Sequence, residues 1–422
     1  MKLILLLIAG YVFYGLIDLK ALGILVAMSF ITYCGGKIAY SYKKRGDDSA
    51  AKYTSAAFII FEIAVLCFFK YSGLIPMPVG MSFYMLMAIG FIADCAGAKF
   101  DNMPSVTQTL VYISFFPTVI SGPILKAKDF IPQLSKKHTF TKERLYSFMT
   151  MFAVGAFFKL VMADRLSVAV DKVYATPLVF SGMTLFFTSV TYTLQLYFDF
   201  AGYSYMAIAA ATLLGFDIAP NFNLPYLATN PSEFWRRWHI SLSEWLRDYV
   251  YIPLGGSRKG FLRTYINIFL VMVVSGLWHG STINFLIWGM LHGIGQIIHR
   301  AVAKLRKKDA TGSRIFSMII NFLFINFLWI PFRVSTPAEA WTIFKRIVTL
   351  APGASYYYVY TFIFGVLMLI TQFIGSRFNN GNDPIKPLAL DKLYAKVIFC
   401  MIIIVTAMFA YFGNGAFIYS QF

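Results

Sequence analysis

Charged side chains are scarce in this 422-residue chain, where Asp, Glu, Lys and Arg make up 13% of the residues and apolar residues 58%. Soluble domains carry about 25% charged residues, so the composition excludes that class. Apolar windows of about 17 to 25 residues, long enough to cross a bilayer as a helix, recur along the whole chain. They lie near 3–18, 21–39, 53–70, 79–97, 106–123, 147–173, 183–214, 264–279, 281–299, 315–333, 357–375 and 393–413. Windows of this length suit helices rather than barrel strands, and they predict an all-α, polytopic membrane protein with roughly 10 to 12 spans.

Cysteine is also rare. Cys34, Cys67, Cys95 and Cys400 lie within or beside apolar segments and form no C-x-x-C pair, which excludes a disulfide framework and favours small buried apolar side chains. The H-E-x-x-H pattern of zinc enzymes and the G-x-S-x-G turn of serine hydrolases are both missing from the sequence. We therefore expect no metal site and no bound cofactor.

Acidic residues are outnumbered by basic ones, which gives a net charge of +18. The basic residues concentrate in the short segments 37–46, 126–144, 236–248 and 299–314. Such clusters beside membrane spans follow the positive-inside rule and suit anionic lipid headgroups, so we expect contact with membrane lipid and not with nucleic acid. No soluble segment or internal repeat interrupts the chain, and residues 1–422 are predicted to form one multi-pass domain in the cell membrane.

The most polar structured segment is "NPSEFWRRWHISLSEWLRDYVYIPLGGSRKG", residues 230–260. Asn230 or Ser232 can cap a helix, and the Gly255-Gly256 pair can end it. Aromatic and aliphatic residues recur at spacings of three and four, which predicts one amphipathic helix lying in the interface or lining a basin. Its apolar face would carry Phe234, Trp238, Leu242, Trp245, Tyr249 and Ile252, with Arg236, Arg237, Glu244, Arg247 and Asp248 opposite and His239 on the flank.

A second segment, from Thr264 to His299, has no Asp, Glu, Lys or Arg at all. Thirty-six helical residues would extend about 54 Å, longer than a bilayer core, so one bent helix or two helices are needed. Glycine makes the break easiest at "SGLWHGS", which would place His279 at a helix junction within the membrane. His292 is expected to be a packed, hydrogen-bonded core residue, and His299 to lie at the interface.

An ionisable group inside a membrane span is costly, and so His279 is a functional candidate. An imidazole can take a proton from a hydroxyl and return it to a leaving group. The alternative is a structural histidine that donates to a backbone carbonyl. Ser275 and Ser281 flank it, and both are expected to be helix-packing residues rather than nucleophiles.

These two segments together closely resemble the membrane-bound O-acyltransferases, within the bacterial branch of alginate and peptidoglycan O-acetylation proteins and the D-alanyl transfer protein of teichoic acids. Further matches cover most of the chain, at 77–86, 114–130, 194–226 and the closing "FIYSQF", 417–422. The resemblance implies a ring of helices around a central funnel or tunnel. It also implies that His279 is the essential histidine of the tunnel and His239 a second one near the cytoplasmic mouth.

The expected substrate-binding residues are Trp235, Arg236, Arg237, Trp238, Trp278 and Asp199. The two arginines suit an anionic acyl carrier, while Asp199 could orient a tunnel group, hold an arginine or pair with a nearby helix. The predicted reaction moves an acyl group, foremost acetyl from acetyl-coenzyme A, from the cytoplasm to a hydroxyl on an extracytoplasmic partner protein, cell-wall polymer or exopolysaccharide.

Three alternatives stay open. The first is D-alanyl transfer from a carrier protein to teichoic acid, which the chain length favours and the local motifs do not. The second is a proton-coupled transporter, since broken helices with a buried Asp and His are also typical of carriers. The third is a non-catalytic scaffold, which would retain the aromatic helix without needing the histidine.

Overall fold

The computed structural model describes residues 1–305, 313–356, 358–378 and 390–412. Within these ranges the regular structure is helical, as the sequence predicts, and it divides into two compact units. One unit comprises Met1–Leu145 and Ala207–Ala219, and the other comprises Tyr146–Met206 and the described residues from Pro220 onward. The motif at 417–422 lies outside the described residues.

Among the described residues, six helices lie wholly within the first unit. They are α1 (Lys2–Gly15), α2 (Leu19–Lys44), α3 (Asp48–Tyr71), α4 (Met81–Ala96), α5 (Val106–Ile113) and α6 (Ala127–Leu134). Polar residues start two of them: Asp18 accepts from backbone N–H groups at the start of α2, and Ser105 forms a reciprocal capping box with Gln108 at α5. Side-chain acceptors of this kind satisfy the amides that a helix leaves open at its start.

The second unit holds the polar segment and the charge-free segment. Its helices are α7 (Lys142–Phe157), α8 (Asp164–Ala175), α9 (Gly182–Leu213), α10 (Pro231–Trp235), α11 (Ile240–Leu246), α12 (Gly260–His279), α13 (Ile283–Leu305), α14 (Arg314–Arg333), α15 (Pro337–Val348), α16 (Val359–Phe378) and α17 (Leu393–Phe409). The boundary between the units falls within α7 and within α9. A π-helical turn, Phe158–Ala163, joins α7 to α8.

Five helical stretches of the described chain are long and apolar enough to cross a membrane: α2, α3, Lys142–Ala175, α12 and α14. Shorter apolar helices occupy other predicted spans, at Lys2–Gly15, Met81–Ala96, Val359–Ile370 and Leu393–Phe409. The protein is therefore an all-α, multi-pass membrane protein.

The predicted span 106–123 is wrong in its second half, because α5 ends at Ile113 and residues 114–126 are not helical. Pro117 disfavours helical backbone at the residue before it. Most of this irregular stretch is buried, including Thr118 and Ser121. Broken backbone at membrane depth is tolerated where protein covers it.

The single amphipathic helix predicted for 230–254 is also wrong. Asn230 caps α10 as expected, but α10 ends at Trp235, and α11 begins only after His239. Gly255 and Gly256 do end the segment, with positive φ angles of 102° and 56°. Phe234, Trp238, Leu242 and Trp245 are buried, whereas Ile252 is 56% exposed.

The charge-free segment folds as two helices, as predicted. The first, α12, ends at His279, Gly280 is extended, and α13 begins at Ile283. These two helices pack very closely: a Cβ added to Gly276 would lie 2.3 Å from the carbonyl oxygen of Phe285. A glycine is needed where two backbones approach to this distance.

Candidate active site

His279 lies at the end of α12, where the chain turns into α13. It is only 2% exposed, and its ring is enclosed by Trp278, Trp288 and Phe332, with centroid distances of 4.8, 5.0 and 5.2 Å. The predicted position at a helix junction is therefore confirmed. A histidine in such an enclosure is shielded from bulk water.

His239, the second predicted histidine, belongs to the same aromatic cluster. Its ring centroid lies 5.9 Å from that of Trp278 and 4.7 Å from that of Phe200, and the residue is fully buried. Trp278 thus contacts both histidines. The structure brings together two rings that are forty positions apart in the sequence.

The backbone of His239 adopts a left-handed conformation, with φ 44° and ψ 55°. Side chains rarely take this conformation, and it costs about 1 to 3 kcal/mol unless the surroundings enforce it. Here Asn221 supplies the constraint: its backbone oxygen accepts from the N–H of Ile240, and its Oδ1 accepts from the N–H and hydroxyl of Ser241. The break between α10 and α11 therefore depends on a residue from another segment.

Asn221 also fixes the protonation of the His239 ring. Its Oδ1 lies 3.3 Å from Nδ1 of His239, and the backbone N–H of Ser241, which can only donate, identifies that atom as the oxygen. Nδ1 of His239 therefore carries the hydrogen, and Nε2 holds the lone pair. Burial lowers the pKa of His239 to about 3, so the ring is a neutral base at physiological pH.

Replacing Asn221 with alanine is expected to lower the free energy of unfolding by about 2 to 4 kcal/mol, because three donors lose their acceptor. Asn221→Asp keeps that acceptor, and its charge next to Nδ1 is expected to raise the pKa of His239. Protonation of the His239 ring in the aspartate variant should then occur at a higher pH than in the wild type. Unfolding in detergent checks the alanine variant and NMR titration of the His239 ring checks the aspartate variant, and an unchanged titration would contradict the contact between Asn221 and Nδ1.

A pocket of about 520 Å³ lies beside α10 and α11. Three arginines, Arg236, Arg247 and Arg300, line it together with Glu244, and we call it the arginine pocket. Trp235 and Met272 form part of its apolar wall. Guanidinium groups bind phosphate and carboxylate oxygens in pairs, so the pocket suits an anionic ligand with an apolar portion.

Arg236 and Arg237, adjacent in the sequence, have different surroundings. Arg236 is exposed and lines the arginine pocket. Arg237 binds Glu233 at 2.9 Å and the backbone oxygen of Asn223 at 3.2 Å. Burial opposes ionisation of Glu233, but hydrogen bonds from Thr229 and Arg237 outweigh it and lower the carboxyl pKa. The geometry therefore places Arg237 in the scaffold of α10.

Trp235 and Trp238 also have different surroundings. Nε1 of Trp235 donates to Nδ1 of His292 at 3.2 Å, which confirms His292 as a packed, hydrogen-bonded core residue. Trp238 is 1% exposed, and its ring stacks on Phe234 and contacts Tyr226. This geometry makes Trp238 part of the aromatic core.

Asp199 forms a structural ion pair, as one of the expected alternatives has it, and its partner is a lysine rather than an arginine. Nζ of Lys159 lies 2.7 Å from Asp199 and 2.7 Å from Asp164. The lysine comes from the π-helical turn after α7, and Gly155 near the end of α7 packs against the backbone of Gly202 in α9. The three charged groups hold these two elements together.

No cluster of His, Cys, Asp or Glu that could hold a metal ion occurs in the part of the chain that the structure describes. All four cysteines are free thiols, but Cys67 and Cys400 are exposed and only Cys95 is buried. The expectation that cysteines fill buried positions is therefore wrong for those two. They lie on the outer surfaces of the apolar helices α3 and α17.

Sequence reasoning missed Asn221, Trp288 and the pocket arginine Arg300. The position of Trp288 could have been predicted, because a residue four positions before His292 lies on the same face of the helix. Nothing local distinguishes Asn221 from other loop asparagines, and Arg300 had appeared only as one member of a basic loop.

Comparison with known proteins gives a consistent result. Residues 6–337 match the family model MBOAT, membrane-bound O-acyltransferase family. The probable alginate O-acetylase AlgI of Pseudomonas fluorescens is 35% identical over 341 residues, which cover 78% of this chain and 67% of the relative. The peptidoglycan O-acetyltransferase of Helicobacter pylori is 30% identical over 82% of this chain and 73% of its own length. The teichoic acid D-alanyltransferase of Bacillus subtilis is 26% identical over 59% and 66%. The chain belongs to the membrane-bound O-acyltransferase family and is an O-acyltransferase.

Proposed function

We propose that this O-acyltransferase takes acetyl groups from a cytoplasmic thioester donor and delivers them through a tunnel to a hydroxyl acceptor outside the cell membrane. The acceptor would be a cell-wall polymer, an exopolysaccharide or a partner protein that modifies one. The observation that carries the proposal is the position of His279, enclosed in the membrane domain and joined through aromatic rings to His239 and, through Trp288, to Trp235 at the arginine pocket.

The donor enters at the arginine pocket in this account. The positive-inside rule assigns the basic end of a membrane domain to the cytoplasm, and the three pocket arginines match the phosphates of coenzyme A or of a phosphopantetheine carrier. The apolar wall of the pocket would receive the pantetheine arm and its acyl end. The donor binds as a substrate, so the account needs no resident cofactor.

His279 is the proposed general base. It takes the proton from the acceptor hydroxyl as the oxygen attacks the thioester carbonyl; the carbon–sulfur bond then breaks, and the thiolate leaves with that proton. Neutral His239 would lie on the donor side and orient the carbonyl or the leaving sulfur. Proton transfer by a positioned imidazole contributes about 10²- to 10⁴-fold to a rate.

Arg236→Ala is expected to change KM for the donor, whereas Arg237→Ala is expected to change the melting temperature. Loss of Arg236 removes a charged contact with the donor and should raise KM for the donor about tenfold, with an effect that shrinks at high salt. Loss of Arg237 removes the partner of Glu233 and should affect the melting temperature more than KM. Steady-state kinetics and thermal unfolding of both variants test this, and equal KM effects would contradict the separation of the two arginines.

The experiment that tests the function compares two donors on the purified protein. Labelled acetyl-coenzyme A and labelled D-alanyl carrier protein are supplied in turn, and label on a soluble polysaccharide acceptor is counted. Transfer from acetyl-coenzyme A alone supports the proposal, whereas transfer from the carrier protein alone assigns the chain to D-alanylation. The relatives named for O-acetylation match more of this chain than those named for D-alanyl transfer.

A further inference from the structure

The segment that leads into α12, residues 252–263, concentrates exposed cations without nearby acidic residues. The sequence contains no Asp or Glu between Asp248 and Asp309. Four exposed cations lie on this segment or against it and form no ion pair among the described residues: Arg258, Lys259, Arg263 and Lys304. The 252–263 segment is therefore a positively charged surface that the protein itself does not neutralise.

Large apolar side chains are exposed beside these cations. Phe261 and Leu262, in the first turn of α12, are 66% and 64% exposed, and α12 is long and apolar enough to cross a membrane. Nζ of Lys304, near the end of α13, lies 5.1 Å from the centre of the Phe261 ring. Apolar side chains at the end of a membrane span, next to cations, are typical of a segment that lies between lipid headgroups and acyl chains.

Hydrogen bonds hold the 252–263 segment in one shape. Nδ2 of Asn267, a buried residue of α12, donates to the backbone oxygen of Gly256 at 2.8 Å and to that of Leu254 at 3.4 Å. Nε and Nη2 of Arg263 donate to the same oxygen of Leu254, each at 3.4 Å. The cations are therefore presented by a backbone that is already ordered, which lowers the cost of binding a ligand.

This surface is separate from the arginine pocket. None of its four cations lines that pocket, whose arginines are Arg236, Arg247 and Arg300. The two are neighbours, because a Cβ added to Gly256 would lie 3.6 Å from the ring of Tyr251, which lines the pocket. By the positive-inside rule the surface faces the cytoplasmic leaflet, where anionic lipids give the membrane a negative surface potential.

We propose that the 252–263 segment and Lys304 bind the phosphate of an anionic phospholipid in the cytoplasmic leaflet, with Phe261 and Leu262 against its acyl chains. Arginine and lysine supply the charged donors that a phosphate accepts, and the two apolar side chains favour a lipid over a free anion. The inference goes beyond the proposed function, because it requires neither a particular acyl donor nor acyl transfer.

Photo-cross-linking tests the inference on the full-length protein in detergent. Phosphatidylglycerol and phosphatidylcholine that carry the same diazirine-labelled acyl chains are titrated separately, and the labelled peptides are identified by mass spectrometry. Wild type is expected to reach half-maximal labelling within 252–263 at a lower concentration of phosphatidylglycerol than of phosphatidylcholine. Equal half-maximal concentrations would overturn the inference. Loss of labelling in excess inorganic phosphate at constant ionic strength would also overturn it, because it would indicate a site for free phosphate.

Two double variants separate this surface from a general attraction of anionic lipid to a basic protein. Arg258→Gln with Lys259→Gln removes two exposed cations, and the half-maximal concentration of phosphatidylglycerol is expected to rise about 10- to 30-fold, with no change for phosphatidylcholine. Lys136→Gln with Lys137→Gln removes two exposed cations from another basic segment and should leave labelling within 252–263 unchanged. Comparing two lipids on one preparation cancels any loss of folded protein. An unchanged value in the first variant, or an equal rise in the second, would contradict the proposed site.

Discussion

Replacing His279 with alanine is expected to lower the rate of acyl transfer by about 10²- to 10⁴-fold, the range that a positioned acid–base group supplies. The effect should fall on kcat rather than on KM for the donor, because the ring lies at the helix junction, whereas the arginines that we propose to hold the donor line the arginine pocket. Labelled transfer by purified variants measures both constants. A kcat that is unchanged would remove His279 from the chemistry.

His299→Asn is a suitable control for that experiment. His299 lies on the same helix, α13, but it is only half-buried and lines a different pocket with Asn230 and Asn321. Loss of an imidazole there is expected to change the transfer rate by less than about threefold, within the ordinary range of a surface substitution. Equal losses in the two variants would indicate a general effect on the fold.

Replacing Lys159 with methionine is expected to lower the free energy of unfolding by about 3 to 5 kcal/mol. The substitution leaves Asp164 and Asp199 without the ammonium group to which both bind, and an uncompensated buried charge costs that amount. Unfolding by heat or denaturant in detergent measures the loss, and a stable Lys159→Met protein would contradict the ion-pair geometry.

Asp199→Asn provides the matched comparison. The substitution leaves one carboxylate and one ammonium group where the wild type has two carboxylates and one ammonium group. Lys159 retains Asp164 as its partner. The expected loss is therefore well below that of Lys159→Met, about 1 kcal/mol, the value of one hydrogen bond. If Asp199 acts only through structure, transfer activity should decrease in proportion to the loss of folded protein. A larger decrease of kcat would instead indicate that Asp199 contributes to substrate binding or catalysis. Its pairing with Lys159 also accounts for the buried carboxylate that had favoured a transporter.

The helix junction at His279 and the long apolar helices can be predicted from the sequence and the dimensions of a helix. A stretch without charges that exceeds the width of a bilayer must break, and glycine marks where, so the position of His279 at a junction is predictable from Thr264–His299 alone. The long apolar helices α2, α3, α12 and α14 follow equally directly from apolar length. Both arguments need only local composition and the dimensions of a helix.

The break at His239 could not be predicted in this way. Periodic apolar residues continue through 230–252, and a helical period indicates one helix. The actual interruption depends on Asn221, whose hydrogen bonds hold His239 in a left-handed conformation. Contacts between distant segments are invisible to periodicity, and the same is true of the pairing of Lys159 with Asp199 across forty positions.

A buried glutamate is a further example of a contact between distant segments that the sequence pattern does not reveal. Glu62 in α3 is fully buried and lies 2.7 Å from the hydroxyl of Thr32, which also lies 2.8 Å from the backbone oxygen of Met28. The sequence around Glu62 does not reveal this partner, because Thr32 lies 30 positions away in another helix.

The most direct test of the proposed function separates the donor from the acceptor across a membrane. The protein is reconstituted in vesicles with labelled acetyl-coenzyme A on the side of the arginine pocket and a polysaccharide or partner-protein acceptor on the other side only. Orientation is established first by protease accessibility. The account predicts that label appears on the acceptor with wild-type protein and not with His279→Ala. Equal transfer by both proteins, or transfer only when donor and acceptor share one side, would contradict it.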